Sequence, residues 1–127
     1  MITGLSHLTI LVKNQDEALD FYTKKLGFKK HTDAMFGEMR WLTVCPRANE
    51  NLEFALMLAD KSDEKFVGFQ AGQGVLAALV STNVESDYQE MKSHGVELLG
   101  QPEEQPWGKQ LLFKDLYGNI FNLVQPQ

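Results

Sequence analysis

The chain has one cysteine, Cys45, so it contains no intrachain disulfide, and this sparing use of the residue fits a reducing compartment. It has no basic cluster. With a net charge of −5 and a pI near 5.1, it is poorly suited to a nucleic-acid backbone or an anionic membrane as partner. It also has no long apolar run. The N-terminal MITGLSHLTILVKNQD carries no positive charge ahead of its short apolar stretch and no small-residue cleavage site, which argues against a signal peptide or a membrane span. The expected location is the cytoplasm. Low-complexity tracts are absent and proline and glycine are ordinary in number, which excludes extensive disorder. What remains, 127 residues of which 43% are hydrophobic, suffices for one well-buried domain or two small halves sharing a core.

Those residues alternate strand and helix signals in a fixed order. LSHLTILV (5–12) reads as a strand, and Asn14 with Glu17 has the spacing of a capping box. The helix it opens runs to about Leu26, with Ala18, Leu19, Phe21, Tyr22 and Leu26 on one stripe, and Gly27 ends it. Strands are predicted near 28–34, 38–45 and 51–58. The order then repeats. A strand at 75–81 leads to Asn83, a helix carries Val84, Tyr88 and Met91, Gly95 ends it, and strands follow near 96–100, 108–114 and 119–125.

Asn14 and Asn83 lie 69 residues apart, and the same offset superposes HLTIL (7–11) on LAALV (76–80) and LEFAL (52–56) on FNLVQ (121–125). The prediction is an α+β fold of two tandem βαβββ modules, 1–58 and 74–127, joined by a polar linker, 59–73. One helix covers one face of each sheet, so the other face is left open, and two such modules side by side would curve into a half-barrel cavity. Asn122, in the middle of the last strand, supports an uncovered face. Buried without partners its amide would cost about 1–3 kcal/mol.

Paired βαβββ modules, SHL in the first strand, FYTKKLGF (21–28), and Trp107-Gly108 followed by D-x-Y-G-N-x-F (Asp115–Phe121) resemble the vicinal oxygen chelate superfamily. That group includes glyoxalase I, extradiol dioxygenases, fosfomycin-resistance thiol transferases and bleomycin-binding proteins. The resemblance implies a small-molecule ligand held in the cavity and a symmetric homodimer. In metal-using members a divalent ion such as Ni²⁺, Zn²⁺, Mn²⁺ or Fe²⁺ acts there as a Lewis acid. Its ligand positions fall on His7, Glu53, Leu76 and Asn122. The first two match, whereas Leu76 has no donor atom and Asn122 offers only a neutral oxygen, so the implied metal site is incomplete. No cofactor is firmly implied.

Without metal, Glu53 is a candidate general base with His7 beside it, although both also suit an ordinary half-buried strand pair. His31 faces the cavity only if its strand turns that way, and a strand-edge histidine is the simpler reading. Trp41, Thr43 and Cys45 share one strand face and Arg40, Leu42 and Val44 the other. A ligand pocket favours the first set. Trp107 is a further candidate aromatic wall. Arg40 maps onto Lys109 by the 69-residue offset, so this pair is a candidate anchor for an anionic substrate. In the linker, Phe66 and Phe69 could close over the cup with Gly68, Gly72 and Gly74 as hinges, or pack on a strand or a second subunit.

Two functions stay open. One is a metal-free protein that binds a small molecule without changing it; the other is a metal-dependent lyase or dioxygenase using His7 and Glu53. Leu76 favours the first, because a leucine at a ligand position removes coordination and adds apolar wall.

Overall fold

An asparagine side chain caps the first turn of each helix. In the computed structural model, which describes residues 1–127, Asn14 Oδ1 accepts from Glu17 N at 2.9 Å. Helix α1 (Gln15–Asp20) follows and widens into a π-helical turn over Phe21–Lys25. Asn83 Oδ1 accepts from Ser86 N at 3.0 Å and opens α2 (Val84–Ser93) in the same way. Each cap satisfies a donor that the first turn leaves without a partner and contributes about 1 kcal/mol. The chain divides into two compact units, Met1–Val67 and Gly68–Gln127. The division falls inside the segment expected to link the modules.

In the first unit β1 (His7–Val12), β2 (Lys29–Phe36), β3 (Met39–Cys45) and β4 (Glu53–Leu58) form one sheet in the order β1-β4-β3-β2. β1 runs parallel to β4; the other pairs are antiparallel. Period-two alternation decides the faces. Ile10, Leu42, Val44, Phe54 and Leu56 are buried, as are Ala18, Phe21 and Tyr22 from the helix and its π-helical turn. Tyr22, Phe28 and Phe54 meet ring to ring at 5.3–5.9 Å, contacts each contributing about 0.5–1.5 kcal/mol beyond their burial. The opposite face is thereby left to the odd-numbered residues of β1, β3 and β4.

The second unit repeats this plan with β5 (Val75–Val80), β6 (Glu103–Gln105), β7 (Gly108–Lys114) and β8 (Ile120–Pro126), ordered β5-β8-β7-β6. Val84, Tyr88 and Met91 of α2 are buried together with Leu111, Phe113, Phe121 and Leu123, and Phe113 stacks on Phe121 at 5.7 Å. One predicted strand is displaced. Residues 96–100 contribute only an isolated bridge, Leu98 to Phe113, and the sheet's edge strand is β6. The reason is local: Gly100 turns at φ +126° and Pro102 has no N–H for a ladder, so pairing resumes only beyond them.

The expected hinge region is braced at one point. A Cβ on Gly68 would lie 1.8 Å from Tyr117 O, so only glycine permits this approach to the turn before β8. Gly72, by contrast, has open space around it. Phe66 and Phe69 remain 44% and 51% exposed, so neither is locked into a core.

Candidate functional site

The face of the first sheet turned away from α1 gathers most of the candidate residues. His7 and Glu53 are register partners across the parallel β1/β4 pair, so their side chains share that face. Thr43 pairs with Ala55 and therefore joins them, with Trp41 and Cys45 two residues to either side. The His7 ring meets the Trp41 ring edge-on, with centroids 5.1 Å apart and an interplanar angle of 87°. His7 Nδ1 lies 3.2 Å from Ser6 Oγ.

His31 arrives by an irregularity that the sequence pattern does not show. The β2/β3 register slips between Lys30 and Thr32, and His31 Nδ1 comes to lie 3.1 Å from Glu53 Oε1 and 2.8 Å from Thr32 Oγ1. The hydroxyl of Thr43, itself fully buried, donates to the same Glu53 oxygen at 2.9 Å. Both contacts converge on Oε1.

Arg40 is the candidate that the structure does not bring to this face. It alternates with Trp41 onto the helix side, where Nε and Nη2 donate to the two oxygens of Asp33 at 2.9 Å each and Nη1 donates to Asp16 Oδ1 at 2.8 Å. This two-pronged pairing holds the Asp33 carboxyl below the usual carboxylate range and raises the guanidinium further. Arg40 thereby clamps β3 onto β2 and α1. Lys109, its counterpart by offset, faces Glu104 at 3.6 Å. Burial pushes the Cys45 thiol up, which suits an inert core residue and not a nucleophile.

In the second unit Asn122 lies on the sheet face opposite Phe121 and Leu123, paired in register with Ala78 and Leu112. Its Nδ2 lies 3.4 Å from Gln110 Oε1, whereas its Oδ1 is buried with no hydrogen-bond partner. The 69-residue offset sets Leu76 against it, but an irregularity between Val75 and Ala77 leaves Leu76 out of the ladder. Trp107 precedes β7 and is 44% exposed. The D-x-Y-G-N motif is a turn, not chemistry: Asp115 Oδ1 accepts from the backbone of Tyr117, Gly118 and Asn119 at 2.9–3.0 Å, and Oδ2 accepts from Asn119 Nδ2 at 3.0 Å.

The donors do not fit a tightly held divalent ion. The four implied ligand positions carry an imidazole, a carboxylate, an alkyl group and an amide, whereas such ions ask for three or more good donors. Nowhere in the chain do three or more His, Cys, Asp or Glu side chains gather so that they could hold one.

Two βαβββ units, each a four-stranded mixed sheet with one helix-covered face, define an α+β protein of the vicinal oxygen chelate type. The chain belongs to the Glyoxalase/Bleomycin resistance protein/Dioxygenase superfamily, whose family model matches residues 4–123. Among its relatives is the uncharacterised protein YetH of Bacillus subtilis (strain 168), 32% identical over 98% of this chain and 100% of that one. The solved structure of UcmS2 is similar with a TM-score of 0.87 at 34% identity, covering 98% of each chain. TnmS3, an antibiotic binding protein from Streptomyces sp. CB03234, is similar with a TM-score of 0.81 at 28% identity, covering 99% of this chain and 98% of that one.

Proposed function

We propose that this protein binds an apolar or aromatic small molecule on the His7–Trp41–Glu53 face of its first sheet and holds it without chemical change. The observation that carries the reading is the state of Glu53. A carboxylate already fixed through one oxygen, by the Thr43 hydroxyl and by the approach of His31, is a pre-organised anchor, and beside it Trp41, with the His7 ring set edge-on to it, supplies the kind of aromatic surface that small-molecule sites use. Similarity to an antibiotic binding protein supports a small-molecule ligand. Leu76 and Asn122, in place of stronger donors, favour binding over metal chemistry. The reading extends to a cytoplasmic homodimer, for which the single buried Cys45 suits a reducing compartment; light scattering on the purified protein tests the dimer.

Trp107→Phe leaves Trp41 as the only tryptophan, so its fluorescence reports on this face. A library of flat aromatic compounds should contain members that shift it saturably, with Glu53→Ala and His7→Ala weakening the response. In parallel, Ni²⁺, Zn²⁺, Mn²⁺ and Fe²⁺ are titrated with thermal shift as readout. The reading expects no ion to raise the melting temperature. A rise with one ion that His7→Ala and Glu53→Ala both abolish would instead establish the metal-dependent lyase or dioxygenase.

A further inference from the structure

The face of the first sheet that carries Trp41 continues past it to the tip of the β2/β3 hairpin. Ala34 pairs with Trp41 and Phe36 with Met39, so Phe36 and Met39 stand on the same side of the sheet as Trp41, next to the turn at Gly37 and Glu38. Phe36 is 63% exposed and Met39 45%. On β4, Met57 lies two residues beyond Ala55, the register partner of Thr43, and joins this face half-buried. Charge is kept off the stretch. Arg40 and Asp33, the charged strand residues beside it, alternate to the helix side and bind each other there.

Along β3 the face changes character in one direction. Thr43, fully buried, donates to Glu53, and His31 approaches the same oxygen. Trp41 comes next, half-buried, and Met39 beyond it is open to solvent. Met39 lies four positions from Thr43, about 13 Å at the usual strand rise. The polar end offers hydrogen bonds of both kinds, since Glu53 accepts and the rings of His7 and Trp41 each carry an N–H. The far end offers only aromatic and thioether surface, which adapts to flat apolar shapes. Two exposed side chains are far too little for a stable dimer contact, which buries about 800 Å² per partner, whereas they extend a face that already presents an aromatic ring.

We infer that the ligand is long and amphipathic: a polar group that both donates and accepts hydrogen bonds sits at the Glu53 end, and a flat apolar body extends over Trp41 to Phe36 and Met39. This inference rests on the proposed binding function and narrows it to a ligand shape. A body that reaches the hairpin tip covers two apolar side chains that a shorter ligand leaves in water, and the added burial favours the long shape by about tenfold. Phe36 and Met39 are therefore specificity-determining residues. They meet the far end of the ligand and leave its anchoring to Glu53.

Two isomers test shape at constant composition. 2-Anthracenemethanol carries its hydroxymethyl group on a terminal ring and 9-anthracenemethanol on the central ring, so with the hydroxyl at Glu53 only the first reaches the hairpin tip. Equilibrium dialysis against the full chain at pH 7 gives both affinities. The wild type should bind the 2-isomer about tenfold tighter, and the double variant Phe36→Ala, Met39→Ala should bring the ratio below about twofold while leaving the 9-isomer within about twofold of its wild-type affinity. Circular dichroism and the melting temperature establish that the variant is folded; Met39→Gln, a single exposed change that should at least halve the ratio, repeats the comparison where the double variant is not. Equal binding of the two isomers by the wild type, or a preference that survives in the folded variants, overturns the inference and leaves the binding function standing. So does failure of both isomers where compounds of the aromatic library bind. A change from dimer to monomer in the double variant, read by light scattering, overturns it as well, because a second copy then covers the tip. If neither isomer binds and the aromatic library also leaves Trp41 fluorescence unmoved, the binding function itself fails and the inference goes with it.

Discussion

Replacing Gly68 by alanine separates a brace from a hinge. The residue holds φ +76°, and a Cβ built on it would sit 1.8 Å from Tyr117 O and 2.5 Å from Tyr117 C. Real Cβ contacts stay beyond 3.0 Å, so backbone on one side must move by at least 1.2 Å, the difference between those two distances. The neighbouring contact resists that movement, because Gln70 N reaches Asn119 Oδ1 at 3.5 Å and Asn119 is tied to Asp115. Gly72 is the internal control, since it holds φ +62° with nothing within 4 Å of its own built Cβ. Gly72→Ala therefore carries only the left-handed backbone term, about 1 kcal/mol. Gly68→Ala carries that term plus overpacking against fixed backbone, for a total of about 3–4 kcal/mol. For a chain of this size the difference between the variants corresponds to roughly 6–12 °C in melting temperature. Urea titration followed by circular dichroism, with the slope checked for constancy, measures both losses. Equal losses in the two variants, to within about 0.5 kcal/mol, would refute the steric reasoning and restore Gly68 as a free hinge.

The Arg40 clamp predicts an acid limb. Because Arg40 holds the folded Asp33 carboxyl below its unfolded value, the stability it supplies is present above the unfolded pKa, about 4, and is lost as pH falls through the folded one. The melting temperature of Asp33→Asn should thus lie below that of the wild type at pH 7 and converge on it toward pH 2; a gap that stays constant with pH would mean that the ion pair is not its source. Cys45, fully buried with its thiol pushed up, should resist Ellman's reagent in native buffer at pH 7.5 and give one equivalent only after denaturant is added. Stoichiometric reaction on mixing would show that the β3 end opens freely.

The candidate site itself explains why some of its parts are visible in the chain and others are not. His7, Glu53, Trp41 and Thr43 can be found from sequence because each sits in an uninterrupted strand, where alternation fixes which residues share a face. Alternation does not say which face the helix covers. That choice moves Arg40 to the helix side and leaves Trp41 with His7, and it is made by the packing of Tyr22 and Phe28 onto Phe54. His31 escapes because a register slip breaks the alternation that would have to announce it. Leu76 misleads for the same reason, since the irregularity beside it shifts Ala78 opposite Asn122 and spoils an offset that fits the helix caps well.

The sequence by itself determined the local and periodic features: two helices opened by Asn14 and Asn83 and ended by Gly27 and Gly95, seven of the eight strands, the repetition of a βαβββ unit, and through its motifs the superfamily. These depend on interactions within a few residues, so they are written where they act. Only the tertiary structure decided the register slips at His31 and Leu76, the convergence of Thr43 and His31 on one oxygen of Glu53, and the unpartnered carbonyl of Asn122. Each of these joins residues on different strands through an irregular ladder, and the shift of one such ladder by a residue exchanges which side chains meet.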